Sequence, residues 1–168
     1  AENRARHTRM RLLIVLAFRL GMRRREILCL RRGDIDLSGD GRIHIRPYKD
    51  IRPYADASNR SVPFREISHT LKTGFSQRSL PIRQLLNDQE RQWLAEACEQ
   101  SVDARIPSDP MRARLFPSHE HDTLSRDAID LLRKVAGDDQ LKLHHLRHSF
   151  ASWMAFKVFF ARQVACPD

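Results

Sequence analysis

Apolar residues fill nearly every position of the stretch RLLIVLAFRL, residues 11–20. That leaves no clear polar face at helical period, which predicts a helix buried on most sides. Gly21 ends the run, and Ile27, Leu28 and Leu30 predict a second, short helix over residues 24–30. The segment RRGDIDLSGDGR is turn-rich, with Ser38, Gly39, Asp40 and Gly41 in succession. Residues 42–46 alternate polar and apolar with period two and predict a strand. Residues 48–68 are polar and irregular, with Pro53 and Pro63, and read as a surface insertion. Two short strands are expected at 70–73 and 77–82, around a turn at Gly74.

In the second half, Ile82, Leu85, Leu86, Trp93, Leu94, Ala97 and Cys98 recur at roughly helical spacing. They predict an amphipathic helix to about Gln100. A polar loop with Pro107 and Pro110 follows, and Leu115-Phe116-Pro117 should anchor it to the core. Ser125 is placed to cap the next helix, with Asp127 in its first turn. Ile129, Leu132 and Val135 would be that helix's buried face, and Gly137 its end. A last helix is expected from about His145, with Phe150, Trp153 and Met154 turned inward. Phe156, Phe159, Phe160 and Val164 extend its apolar stripe, open to a partner or to the core. Helices, then a small antiparallel sheet, then helices again argue for a mainly α-helical α+β fold. Residues 1–10 read as a linker, an N-terminal extension or the approach to a helix, and residues 11–168 as one domain.

Charge narrows the function. The net charge is +9 and the pI about 10.3, a positive field that attracts polyanions, nucleic acid above all. Arginine supplies 25 of the basic residues and lysine 5. The guanidinium fork matches phosphate oxygens in pairs, although a GC-rich genome would give the same excess. Cys29, Cys98 and Cys166 are scattered and form no CxxC pair, as expected of reduced thiols in a cytosolic protein. No signal peptide is visible, and the apolar run Leu12 to Phe18 is too short to span a bilayer. The first residue is Ala rather than Met, as in a fragment or processed product.

Four local patterns stand in order along the chain. They are Leu20-Gly21-Met22-Arg23-Arg24-Arg25-Glu26-Ile27-Leu28 with Leu30-Arg31-Arg32-Gly33-Asp34-Ile35-Asp36; Leu71-Lys72-Thr73-Gly74 with Arg78-Ser79-Leu80-Pro81-Ile82; Leu115-Phe116-Pro117; and His144-His145-Leu146-Arg147-His148-Ser149-Phe150-Ala151. Together, over residues 20–151, they resemble the catalytic domain of the tyrosine recombinases, the phage integrase family. That family carries Thr-Gly-Leu-Arg-x-x-Glu-Leu, Leu-x-x-x-Asp-Ile-Asp, a Lys-Thr-Gly hairpin and a His-x-Leu-Arg-His-Ser/Thr-Phe-Ala helix start.

The resemblance implies a partial recombinase catalytic domain over residues 11–168, acting in DNA recombination and integration as part of a mobile genetic element. It implies that Arg23 and Arg147 grip the non-bridging oxygens of a phosphodiester as it becomes pentavalent. Lys72 would protonate the leaving 5′ oxygen, and Lys49 is the competing lysine because it too follows a strand. His144 would bond the phosphate or assist proton transfer. Glu26 would orient an arginine or bond a backbone group. The family's nucleophile is a tyrosine downstream of the second arginine, preceded by a Gly-His or Trp motif. Here only Tyr48 and Tyr54 occur, and neither matches that position. The expectation is therefore a fragment that does not cleave alone, which leaves open whether the chain is itself an enzyme. Expected partners are double-stranded DNA and other recombinase protomers, with no membrane and no small-molecule substrate. No cofactor and no metal are expected, and the location is the bacterial cytoplasm, on the nucleoid when bound to DNA.

Three alternatives compete. A non-enzymatic DNA-binding remnant or regulator would keep the basic surface without the chemistry. A metal-dependent hydrolase is suggested by His119-Glu120-His121 and by His144, His145 and His148, but the first run is not HExxH and no second cluster supports it. An RNA-binding protein fits less well, with 7% aromatics and no RRM or KH signature.

Overall fold

The computed structural model describes residues 2–46, 48–52, 65–69, 77–101, 111 and 113–165. Helix α1 (Glu2–Arg19) is followed by the short α2 (Arg24–Leu28) and a 3-10 turn at Arg32–Asp34. Strands β1 (Ile35–Asp36), β2 (Arg42–Ile45), β3 (Tyr48–Arg52), β4 (Arg65–His69) and β5 (Arg78–Pro81) come next. Helices α3 (Ile82–Leu85), α4 (Asp88–Gln100), α5 (His121–Ala136) and α6 (Leu143–Ala165) complete the order. The arrangement is the mainly helical α+β fold with a small antiparallel sheet that the sequence predicts.

Helix α1 is the hub. Its Leu12, Leu13, Leu16 and Ala17 are buried, and it packs against α2, α4, α5 and α6. A helix that is apolar on most sides needs neighbours on most sides, and here it has four. Residues 2–10, read as linker or approach, are helical and form the first half of α1. Thr8 is buried there, and Arg9 forks onto Glu120 at 2.9 and 2.6 Å. Phe116, fully buried, anchors the segment before α5 as expected, and Leu115 donates its N–H to the Leu30 carbonyl at 3.1 Å.

The sheet has order β1-β2-β5, with Ile43 opposite Leu80 and Ile45 opposite Arg78. Ile43 and Ile45 are buried while Arg42 points outward, the alternation that residues 42–46 predict. Residues 48–52 and 65–69 are not irregular: β3 and β4 form a separate antiparallel pair, Tyr48 opposite His69 through Arg52 opposite Arg65. Polar side chains hid this pairing, because a strand ladder is made by backbone groups and needs no apolar face to exist. The strand expected at 70–73, the turn at Gly74 and the loop prolines Pro107 and Pro110 lie outside the described residues.

Several helical expectations are corrected. The helix expected over 82–100 is two helices, broken where Leu86 is extended and Asn87 caps α4. Asn87 Oδ1 accepts from Glu90 N and Glu90 Oε2 accepts from Asn87 N, both at 2.9 Å. Ser125 is no cap. A 3-10 turn at Ser118–Glu120 leads into α5 a turn earlier, so Ser125 is buried inside the helix and donates to the His121 carbonyl at 2.6 Å. Asp127 then falls beyond the first turn, where it pairs with Arg6. Ile129 and Leu132 do pack on the core, but Val135 is 78% exposed because the last turn of α5 runs past it. On α6, Phe150 and Met154 are half-buried, whereas Trp153 faces outward under the Lys157 ammonium, 4.1 Å from its ring centre. Phe156, Phe159 and Phe160 are exposed.

Candidate functional site

The site is built at the corner between α1 and α2. Gly21 turns the chain there with φ +58°, a left-handed conformation that glycine adopts at no steric cost. The turn also leaves room for α6. A Cβ on Gly21 would lie 2.3 Å from Cδ1 of Phe150, so ring and backbone meet only because the side chain is a hydrogen. One turn earlier on α6, Arg147 Nη1 donates to the Gly21 carbonyl oxygen. Two contacts from one helix thus seat the start of α6 on the residue that sets the direction of α2.

Arg23 follows two residues later and opens α2. Its backbone N–H donates to Glu26 Oε2 at 2.8 Å, and its Nη1 to Glu26 Oε1 at 3.2 Å. Arg78, at the start of β5, forks onto the same carboxylate, Nη1 to Oε1 at 3.1 Å and Nη2 to Oε2 at 2.9 Å. The Glu26 side chain is 5% exposed, those of Arg78 and Arg23 26% and 39%. Glu26 bonds both an arginine and a backbone group, the two uses expected of it. The neighbours in the Arg23-Arg24-Arg25 run separate cleanly. Arg24 ties α2 to α5, donating to Ser125 Oγ and to Asp122 Oδ1, both at 2.9 Å, while Arg25 is exposed.

Electrostatics join these parts. Burial alone would raise the Glu26 carboxyl, but the Arg78 fork, the Arg23 N–H and the two positive charges overcome it and hold the group below its ordinary 4.5. Arg147 is held below its ordinary value first by burial, then by the charges of Arg23 and Arg78, with Glu26 acting in the opposite sense. Three guanidiniums and one carboxylate therefore act on one another in one region.

Because the Glu26 value is depressed, its stabilising effect is full above the unfolded carboxylate value and disappears as pH falls through the lower folded one. Urea midpoints measured from about pH 6 down to about pH 3 should therefore drop more steeply in the native protein than in Glu26→Gln. Parallel curves would show that Glu26 gains nothing from its arginines.

The structure brings Arg147 onto the Gly21 carbonyl, two residues before Arg23, although 123 intervening residues separate the two arginines in the sequence. His144 sits three residues before Arg147 in the first turn of α6 and is exposed. Its ring contacts His145 at 4.2 Å and His148 at 5.6 Å between centroids. Desolvation, then His145, His148 and Lys142, lower its value, which disfavours the protonated imidazole. Lys72 lies outside the described residues, and its competitor Lys49 lies on β3. Arg78 is the member the sequence reading missed. The available signal was Glu26 itself: an acid flanked by Ile27 and Leu28 is buried only with cationic partners. Among the described residues, no three or more His, Cys, Asp or Glu side chains are grouped to hold a metal ion. No described helix is long and apolar enough to cross a membrane.

Comparison with known proteins identifies the family. No curated protein gives a significant match. The model of the Phage integrase family matches residues 1–165, nearly the whole sequence. The chain therefore belongs to the phage integrase family, which comprises integrases and site-specific recombinases.

Proposed function

We propose that this chain is a DNA-recombinase catalytic-domain unit that seats one phosphodiester of double-stranded DNA between Arg23 and Arg147. The observation that carries the reading is that Arg147, on α6, bonds the Gly21 carbonyl two residues before Arg23 and lies within reach of its charge. In strand breakage of the family type, a tyrosine hydroxyl attacks phosphorus, a 3′-phosphotyrosyl bond forms and the bond to the 5′ oxygen breaks. The charge that accumulates on the non-bridging oxygens is what Arg23 and Arg147 would stabilise. His144 stands one helical turn from Arg147 and would contact the same phosphate, and Lys72 would give the leaving 5′ oxygen its proton. Neither Tyr48, on β3, nor Tyr54 is proposed as the nucleophile. The basic sequence supports a DNA partner, and the working location follows as the bacterial cytoplasm.

Fluorescence anisotropy with a short DNA duplex tests the binding part. Log affinity is expected to fall linearly with log salt, with a slope of roughly −0.9 per phosphate contacted. A flat salt response would overturn the phosphate-gripping reading.

A further inference from the structure

The contacts of Glu26 give Arg78 a task that neither family membership nor the motifs assign. Arg78 occupies both oxygens of that carboxylate, at 3.1 and 2.9 Å, whereas the Arg23 guanidinium meets it through one longer contact at 3.2 Å. The carboxylate is almost completely buried, and a buried anion without a full cationic partner is strongly unfavourable. With Arg78 removed, the nearest compensation is Arg23, whose fork would turn onto Glu26 and away from any ligand. Arg78 also starts β5, the strand that follows the Lys72-Thr73-Gly74 motif in the chain. It thereby ties that strand to the first turn of α2.

We propose that Arg78 is a positioning residue of the phosphate seat: by forking onto Glu26 it satisfies the buried carboxylate, so that the Arg23 guanidinium is not drawn fully onto Glu26 when a phosphate binds. This rests on the phosphate seat proposed above. Arg78 acts through Glu26 and does not itself hold the ligand.

The rescue experiment follows from that logic. Inorganic phosphate binding is measured by 31P NMR titration for the native chain, Arg78→Met, Glu26→Gln and the double variant, with thermal melts alongside. Arg78→Met is expected to weaken phosphate binding about tenfold, because Glu26 now captures Arg23. Adding Glu26→Gln should restore affinity to within about threefold of native, although Arg78 is still missing, because the captured charge is gone. If the double variant stays as weak as Arg78→Met, Arg78 touches the phosphate directly or acts only on the fold, and the proposal is overturned. An unchanged affinity in Arg78→Met overturns it too. Should Arg78→Met fail to fold, Arg78→Lys keeps the charge but not the fork, and its loss of about threefold should again be reversed by Glu26→Gln. Failure of that reversal overturns the proposal in the same way. Arg23→Ala in the same titration separates the two levels. If it changes nothing, the phosphate seat itself is wrong. If it weakens binding while Arg78→Met does not, only the role of Arg78 is lost.

Discussion

Replacing Gly21 with alanine is expected to destabilise the protein by about 2–5 kcal/mol and to dismantle the candidate site with it. Two separate costs add at this position. The backbone sits at φ +58°, where any residue with a Cβ is disfavoured by roughly 1–2 kcal/mol. The new methyl would also lie 2.3 and 2.8 Å from Cδ1 and Cε1 of Phe150, and forcing it into that contact moves a ring on α6. Movement of α6 carries Arg147 away from the Gly21 carbonyl and from Arg23, so phosphate affinity should fall beyond what the stability loss explains. Gly137 is the internal control. It has φ +66° but nothing within 4 Å of a built Cβ, so Gly137→Ala should cost only the conformational part, about 1–2 kcal/mol. In a Phe150→Ala background, where the ring is gone, Gly21→Ala should cost only the backbone part. Urea denaturation of the native protein and these four variants measures all of this. Equal losses for Gly21→Ala and Gly137→Ala would show that α6 does not depend on the absence of a side chain at Gly21.

Replacing Arg147 with alanine should weaken binding to a DNA duplex by roughly 10- to 100-fold, the range of one or two charge-assisted hydrogen bonds in a partly dry site. Arg147 is half-buried, among the charges of Arg23, Glu26 and Arg78, so its attraction for an anion is screened less than that of a surface arginine. Arg126, exposed on α5, supplies the comparison. Its removal subtracts one screened charge and should lower affinity by no more than about threefold. Arg147→Lys should fall between, because it keeps the charge and loses the planar fork that reaches Gly21 and a phosphate together. Arg23→Ala should resemble Arg147→Ala. Anisotropy at a fixed salt concentration gives the ranking, and equal effects at Arg147 and Arg126 would leave no basis for a special pair.

Parts of this architecture were legible because they obey periodic rules. The apolar run 11–20 and its stop at Gly21 match the buried second half of α1, and the period-two alternation at 42–46 matches β2. What escaped was structure specified by backbone or capping groups. Strands β3 and β4 pair through main-chain bonds while their residues read as polar. The break before α4 was signalled by Asn87 and Glu90 at capping-box spacing, but the apolar period ran across it. Ser125 illustrates the opposite error: a good capping residue buried in mid-helix, where its hydroxyl bonds the His121 carbonyl and receives Arg24.

For the site, charge alone was uninformative, since Arg23 is one of 25 arginines. Ordered motifs selected Arg23 and Arg147, and the fold joins them through a glycine whose role in packing α6 no local pattern reveals. Arg78 was missed for a related reason. Glu26 signals that a cation is needed, but which arginine supplies it depends on pairing between distant positions, which a single sequence does not specify.

The central claim is that two guanidiniums from α2 and α6 serve one phosphate. Calorimetric titration of inorganic phosphate into the native protein, Arg23→Ala, Arg147→Ala and the double variant tests it most directly. One bound phosphate per chain is expected, with the double variant losing clearly less than the two single losses added together, because each arginine depends on the other to hold the same ion. Strict additivity, or two independent phosphates of which each variant removes one, would contradict it.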